Sequence, residues 1–375
     1  MQYSIIVPVF NRPDEVDELL QSLCGQTIKD FEVIIVEDGS TKPCEEVCKK
    51  YEGQLDLKYF MKPNSGPGQS RNYGADRALG EWLIILDSDV VLPNGYLEAV
   101  EKTFNYPLGP QGRLPEQELS TINSIAAFGG PDAAHPSFTP IQKAISYSMT
   151  SFFTTGGIRG GKKKLDKFYP RSFNMGIRRD VYQQLGGFTK MRFGEDIDFS
   201  YRIVEAGHQT MLIPEAWVWH KRRTDLKKFF RQVYNSGIAR INLEKRHPGT
   251  MKLVHMLPTV FTVGVIGLLL LLCLGIALYA EGEWLDANGL RPTDNMHQGV
   301  GFMFCILALL PLLLYSLIIF IESSIRNKSL WVGLLSIPAA FTQLMGYGLG
   351  FIEAWWKRCV RKKDEFTAFE KNFYK

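Results

Sequence analysis

Residues 82–89 read Trp-Leu-Ile-Ile-Leu-Asp-Ser-Asp. Five apolar residues cut off by two aspartates, Asp87 and Asp89, predict a buried strand whose carboxyl end opens into solvent. Runs of the same kind precede it: YSIIVPV at 3–9, FEVIIV at 31–36 and LKYF at 57–60. Between the first two, Val16, Leu19, Leu20 and Leu23 stand at i, i+3, i+4 and i+7, the apolar stripe of a helix, and further helices are expected near 43–51 and 68–79. Strands alternating with helices predict an α/β fold, a Rossmann-like and mostly parallel sheet with helices on both faces. Ligands of such sheets sit beyond the carboxyl ends of the strands. Pro8-Val9-Phe10-Asn11-Arg12, Glu37-Asp38-Gly39-Ser40 and Asp87-Ser88-Asp89 all fall there, so they are expected to share one crevice.

The sequence has no G-x-G-x-x-G and therefore no dinucleotide fingerprint. Two carboxylates two residues apart at a strand end suit a hard divalent cation, Mg2+ or Mn2+, shared with a pyrophosphate. In isolation an Asp-Ser-Asp is more often a solvated turn than a cation site. The buried strand before it and the two neighbouring clusters favour the cation. Further along, Glu195-Asp196-Ile197-Asp198 places acidic residues at a helix start, where they complement the macrodipole and can also face a cleft.

The chain has 375 residues, a net charge of +4 and 45% hydrophobic content, with a mean hydropathy of −0.08. These values exclude a disordered or low-complexity chain and suit an enzyme of one or two domains. The averages conceal two gradients. Residues 221–252 carry ten Lys/Arg against two Asp/Glu, and three runs free of Asp, Glu, Lys and Arg follow at 253–280, 299–321 and 330–352. About 20 apolar residues take a helix across a hydrocarbon layer of about 30 Å, so the first two runs are expected to span. The third, interrupted by Pro338, Gly346, Gly348 and Gly350, is expected to span or to re-enter.

The expected organisation is a catalytic domain at 1–225, a basic juxtamembrane segment at 226–252, a membrane region at 253–356 and a basic tail at 357–375. Basic flanks stay cytosolic, while the loop at 281–298, with Glu281, Glu283, Asp286 and Asp294 against Arg291, suits the far side. The opening residues lack the features of a signal peptide, which keeps the first domain in the cytosol. Cysteines at 24, 44, 48, 273, 305 and 359 form neither a disulfide framework nor a zinc spacing. The basic segment beside a span fits anionic membrane lipids and no nucleic acid.

Six segments in order, SIIVPVFNR (4–12), VEDGS (36–40), PNSGPGQSRNYGAD (63–76), LDSDV (86–90), NMGIRRDVYQQLGGF (174–188) and GEDIDFSYRIVEAG (194–207), resemble family 2 glycosyltransferases of the GT-A fold. The stretch HKRRTDLKKFFRQVYNSGIARINLEKRHPG (220–249), with apolar runs behind it, is similar to a membrane-attached subgroup that builds bacterial exopolysaccharide or other lipid-linked glycans. The resemblance implies a hexosyltransferase-type enzyme that moves a sugar from a nucleotide-diphosphate sugar donor to a lipid-linked or cell-surface glycan acceptor. It also implies a multi-pass protein of the bacterial-type inner (plasma) membrane with a cytoplasmic catalytic domain. By the same resemblance Asp87 and Asp89 hold Mg2+ or Mn2+, with His220 completing the coordination. Pro8, Phe10, Asp38 and Arg71 line the nucleoside site, and Asp87 and Ser88 also touch the donor. Asp196 is then the general base of an inverting in-line displacement, Glu195 its neighbour or an acceptor-orienting group, and Asp198 structural.

Read from the residues alone, a hydrogen-bonded loop histidine accounts for His220 as well as metal ligation does. Arg178-Arg179 read as a solvated pair, and His135, His208, His247, His255 and His297 as ordinary. Processive synthases share the early motifs but add a Q-x-x-R-W, which Gln232-Val-Tyr-Asn-Ser lacks, so addition of a single sugar is expected. Charging a polyprenyl phosphate directly is the alternative reading. A non-catalytic membrane scaffold is disfavoured by the intact Asp87-Ser88-Asp89 and Glu195-Asp196. Residues 105–170 read as loops shaping the acceptor side.

Overall fold

The computed structural model describes residues 1–104, 124–135, 137–156, 168–288 and 296–369. Of the expectations above, Arg291, Asp294, the end of the basic tail and much of the 105–170 stretch lie outside the described residues.

The alternation read from the sequence is present: β1 (Tyr3–Val9), α1 (Pro13–Cys24), β2 (Phe31–Asp38), α2 (Glu45–Lys49), β3 (Asp56–Lys62), α3 (Pro67–Ala75) and β4 (Trp82–Leu86). Then follow β5 (Val90–Val91), α4 (Tyr96–Phe104), β6 (Ile125–Gly129), β7 (Asp132–Ala133), α5 (Pro140–Thr150), α6 (Phe152–Thr155), β8 (Asn174–Arg178), α7 (Arg179–Gln184), α8 (Glu195–Glu205), β9 (Gln209–Leu212) and β10 (Val218–His220). Seven strands form one sheet in the order β3-β2-β1-β4-β8-β6-β9. All run parallel except β8, which is antiparallel to both β4 and β6. Ile5, Val33 and Ile84 face one core with Val16, Leu19 and Leu23 of α1, while Ile6, Ile34 and Ile85 face the other with Phe188 and Phe199. Burial on both faces is why the strands read as unbroken apolar runs.

A second, small sheet has the order β5-β10-β7. It pairs His220 with Val90 antiparallel and Val218 with Asp132 in parallel. The 105–170 stretch, expected as loop, contributes β6, which lies between β8 and β9 in the large sheet, and the eleven-residue α5. Gly130 there allows a close approach: a Cβ on it would lie 1.7 Å from the Ala216 carbonyl oxygen.

The remaining helices are α9 (Leu226–Arg246), α10 (Leu257–Ala287), α11 (Met296–Asn327) and α12 (Leu330–Trp355). Asp225 caps α9 by accepting from Lys228 N at 2.7 Å. The basic segment thus has a buried face, with Phe229, Val233, Ile238 and Ile241 turned inward. By length and composition the three apolar helices can each cross a membrane. The third stays continuous through Pro338 and its three glycines because those glycines sit where helices touch. A Cβ on Gly346 would lie 2.5 Å from Val233 Cγ2 and one on Gly350 2.0 Å from the Tyr234 carbonyl, both on α9; one on Gly348 would lie 2.1 Å from Thr262 Oγ1 on α10. On α11, Glu322 accepts hydrogen bonds from Tyr147 Oη and from Ser151 Oγ, the latter at 2.7 Å, tying that helix to the end of α5.

Candidate active site

With β1 between β2 and β4, the polar clusters that end these three strands are neighbours. Asn11, in the left-handed region at φ 57°, stitches the first to the second: its N–H donates to Ser40 Oγ at 2.7 Å, and its Oδ1 accepts from the Thr41 and Lys42 amides at 2.8 Å each. Pro8 and Phe10 are half-buried at the end of β1. Asp38 is buried and already engaged. Its carboxylate accepts from Ser65 N at 2.9 Å, from Gly66 N at 2.8 Å and from Lys62 Nζ, which fixes the turn leading into α3.

Asp87, Ser88 and Asp89 follow β4, and the pairing of β10 with β5 brings His220 beside them. Lys221 N donates to the Asp89 carbonyl at 3.0 Å, which locks the register. One potential ligand atom from each of Asp87, Asp89 and His220 lies within 4.8 Å of the others. Asp89 Oδ1 is 3.3 Å from His220 Nε2, and Phe173 stacks on the imidazole at 5.0 Å. Asp89 Oδ1 and His220 Nδ1 are nevertheless buried without a well-formed hydrogen bond. Burial acts to raise the Asp89 carboxyl, but His220, Arg223 and Arg12 outweigh it and hold the group well below the usual carboxylate range. A buried, ionised carboxylate with an unsatisfied oxygen, a second aspartate and an imidazole form a donor set that fits a divalent cation, Mn2+ more readily than Mg2+ because of the nitrogen.

Arg71 links this cluster to α8. From α3 it donates through Nη2 to Asp87 Oδ1 and through Nη1 to Glu195 Oε1, both at 2.8 Å, with its guanidinium 5.2 Å above the Phe188 ring. It is buried, and it clamps two acids that are 108 residues apart in the chain. Burial and the neighbouring Asp196 push the Glu195 carboxyl up to about 7 against the pull of Arg71. Asp196 moves the other way: burial would raise it, but Arg171, whose Nε donates to Asp196 Oδ2 at 2.6 Å, holds it below its ordinary value. Asp198 is bonded within the scaffold, to Thr189, Arg202 and His247.

Two features had no sequence signal. Arg171 sits just before β8 with no telling spacing, and only the antiparallel insertion of that strand carries it to Asp196. His247 contacts Glu205 at 2.8 Å and Asp198 at 3.0 Å, one through each ring nitrogen, and so ties α9 to α8. Of the three basic residues after His220, Lys221 pairs with Glu18 at 2.7 Å and Arg222 pairs with Asp132. Arg178 pairs with Asp180, and Arg179 donates to the Ala78 carbonyl at 2.9 Å. Because β8 is antiparallel, Arg178 pairs with Trp82 at the start of β4, so both arginines lie at the opposite end of the strands from the crevice.

A mixed, mostly parallel sheet with an acidic cluster at its strand ends and a second acidic pair on a facing helix defines a GT-A-like fold. The solved structure titled Mannosyltransferase PcManGT from Pyrobaculum calidifontis in complex with GDP-Man and Mn2+ shares it, with a TM-score of 0.53 and 14% identity over 95% of this chain and 88% of that one. Residues 4–108 match the family model Glycosyl transferase family 2, and the chain carries a domain of that family. Similar curated proteins include the pre-mycofactocin glycosyltransferase of Mycobacterium tuberculosis, 27% identical over 65% of this chain and 48% of that protein. An uncharacterized glycosyltransferase of Rickettsia bellii is 37% identical over 34% of this chain and 19% of its own length. The chain thus spans less than half the length of these relatives.

Proposed function

We propose that the chain is an inverting, metal-dependent glycosyltransferase that moves one sugar from a nucleotide-diphosphate donor to a lipid-linked or cell-surface glycan acceptor at the cytosolic face of a membrane. The observation that carries the reading is the clamp of Arg71, which holds the Asp87-Ser88-Asp89 cluster and the Glu195-Asp196 pair in a single cleft. Residues 1–225 are assigned to catalysis and 253–356 to membrane attachment, with the basic 226–252 segment joining them.

Asp87, Asp89 and His220 would hold Mg2+ or Mn2+, which when bound supplies Lewis-acid neutralisation of a departing diphosphate. Pro8, Phe10 and Asp38 are assigned to the nucleoside, with Ser88 beside the diphosphate. Asp196 is assigned as the base: kept ionised by Arg171, it accepts the proton of the acceptor hydroxyl as that oxygen attacks the anomeric carbon. The C–O bond to the acceptor forms as the bond to the diphosphate breaks on the opposite face, so the configuration inverts. Glu195 orients this region through Arg71. The direct test is a donor screen on the purified chain, following release of UDP, GDP or dTDP with and without Mn2+. Release from none of these donors, with any acceptor, would sink the proposal.

A further inference from the structure

Three apolar helices lie between two segments that both belong to the catalytic side. Before them, α9 is anchored on α8 through His247 and through Arg240, whose Nη1 donates to Tyr201 Oη at 3.0 Å. After them the chain comes back to the same helix. Ala368 N donates to Asn235 Oδ1 at 2.9 Å, Arg246 Nη2 meets Glu365 Oε2 at 2.8 Å, and Phe366 packs on the cluster of Ile238 and Ile241. A chain that leaves one side of a bilayer and returns to it crosses an even number of times. One of the three helices therefore does not cross.

The contacts identify which one. Helices α10 and α11 pack together out to the far end of their hairpin: a Cβ on Gly275 would lie 2.9 Å from Cys305 Sγ, and one on Gly282 2.5 Å from Gln298 Cγ. By contrast, α12 meets the hairpin only near its base. Phe341 packs on Phe261 and Tyr315, Thr262 donates to the Leu344 carbonyl at 3.3 Å, and Ser336 bonds Ser323 at 2.6 Å. These partners occupy the first turns of α10 and the half of α11 nearer the base, from Tyr315 to Ser323. A 26-residue helix is roughly 40 Å long and would run beside the whole hairpin if it spanned with it. Its other flank is instead covered by α9 and by Ala144, Ile145 and Met149 of α5.

We infer that α10 and α11 are the membrane-crossing pair and that α12 lies across their base, in the plane of the acyl–headgroup boundary of an anionic leaflet on the catalytic side. The same level presents exposed apolar side chains that belong to no spanning run. Phe152 and Phe153 are 67% and 46% exposed, and the Phe153 carbonyl accepts from Tyr315 Oη at 3.3 Å; Leu253, just before α10, is 84% exposed. Charge agrees, since Lys357, Arg358, Arg361, Lys362 and Lys363 follow α12 directly and suit acidic headgroups. The basic tail and the acidic 281–288 end of α10 then both satisfy the charge bias across the membrane. The inference holds whichever sugar is transferred.

The test is site-directed labelling of the full chain in oriented vesicles of phosphatidylethanolamine and phosphatidylglycerol, with the accessible native cysteines replaced by serine. An impermeant maleimide should label Glu52→Cys and Asp364→Cys from the same face and Asn288→Cys only from the other. Asp364→Cys labelling from the Asn288 face would show that α12 crosses. Labelling of all three from one face would show that no helix crosses, and either outcome overturns the inference. As a second readout, nitroxides at Leu334→Cys and Trp355→Cys should report equal, shallow depths. A helix that spans would place them on opposite sides of the bilayer centre.

Discussion

Arg171 Nε donates to Asp196 Oδ2 at 2.6 Å, joining a side chain that is about one-third exposed to a carboxylate that is almost wholly buried. The arginine keeps an acid charged in a place that would otherwise neutralise it. A base must be ionised before it can accept a proton, so in the role proposed for Asp196 this pair would set the lower pH limit of its action.

Replacing Asp196 with Asn removes the charge and keeps the shape. Transfer should fall by about 10²–10⁴-fold, the range general base catalysis contributes, while calorimetric affinity for nucleotide with Mn2+ stays within about twofold. Retention of most of the activity would remove Asp196 from the role.

Replacing Arg171 with Ala leaves Asp196 to its burial, which raises a carboxyl. The ionised base then appears only at higher pH, so the acidic limb of the kcat profile should move up by about 1–3 pH units, the span a neighbouring opposite charge commands. An unmoved limb with a uniformly lower kcat would mean that Arg171 acts on folding or acceptor binding alone.

Asp89 offers an unsatisfied buried oxygen beside His220. The Asp89→Ala variant should bind nucleotide diphosphate about tenfold or more weakly in Mn2+, a loss of ~1.4 kcal/mol or more, and should match the parent once chelator is added. Titration with each nucleotide, with and without EDTA, separates the two cases.

Gly350 presses on the Tyr234 carbonyl, whereas Gly264 on α10 has open space where a Cβ would go. Gly350→Ala should cost on the order of 1–3 kcal/mol through overpacking and lower the midpoint of thermal unfolding in detergent. Gly264→Ala should leave that midpoint unchanged or raise it, since alanine favours a helix. Equal behaviour of the two would mean that the seam between α9 and α12 is loosely packed.

The first half of the fold was legible because β1, β2 and β4 are buried on both faces and α1 on one, so periodicity and strand ends carry the information. Asp87, Asp89 and the acidic start of α8 could be read for the same reason. Arg171 could not, because its partner lies across an antiparallel strand and no local pattern encodes that crossing. The glycines misled in both places where they were numerous. Around Gly129 and Gly130 they read as loop, and along Gly346, Gly348 and Gly350 as interruptions, whereas each marks a surface where a neighbouring backbone or side chain leaves no room for a Cβ. Charge counting found the basic segment at 226–252 but not its buried face, since a net charge averages over both sides of a helix.

Glu322, held by Tyr147 and Ser151, pins the end of α5 to α11. A bond of that kind removes the freedom of the cleft to bob or tilt relative to the hairpin. Under the proposed function, a cleft kept at one height would gauge its acceptor: the hydroxyl to be glycosylated would have to stand off the bilayer by a set distance, and acceptors with stems too short or too long would be refused before any sugar is inspected.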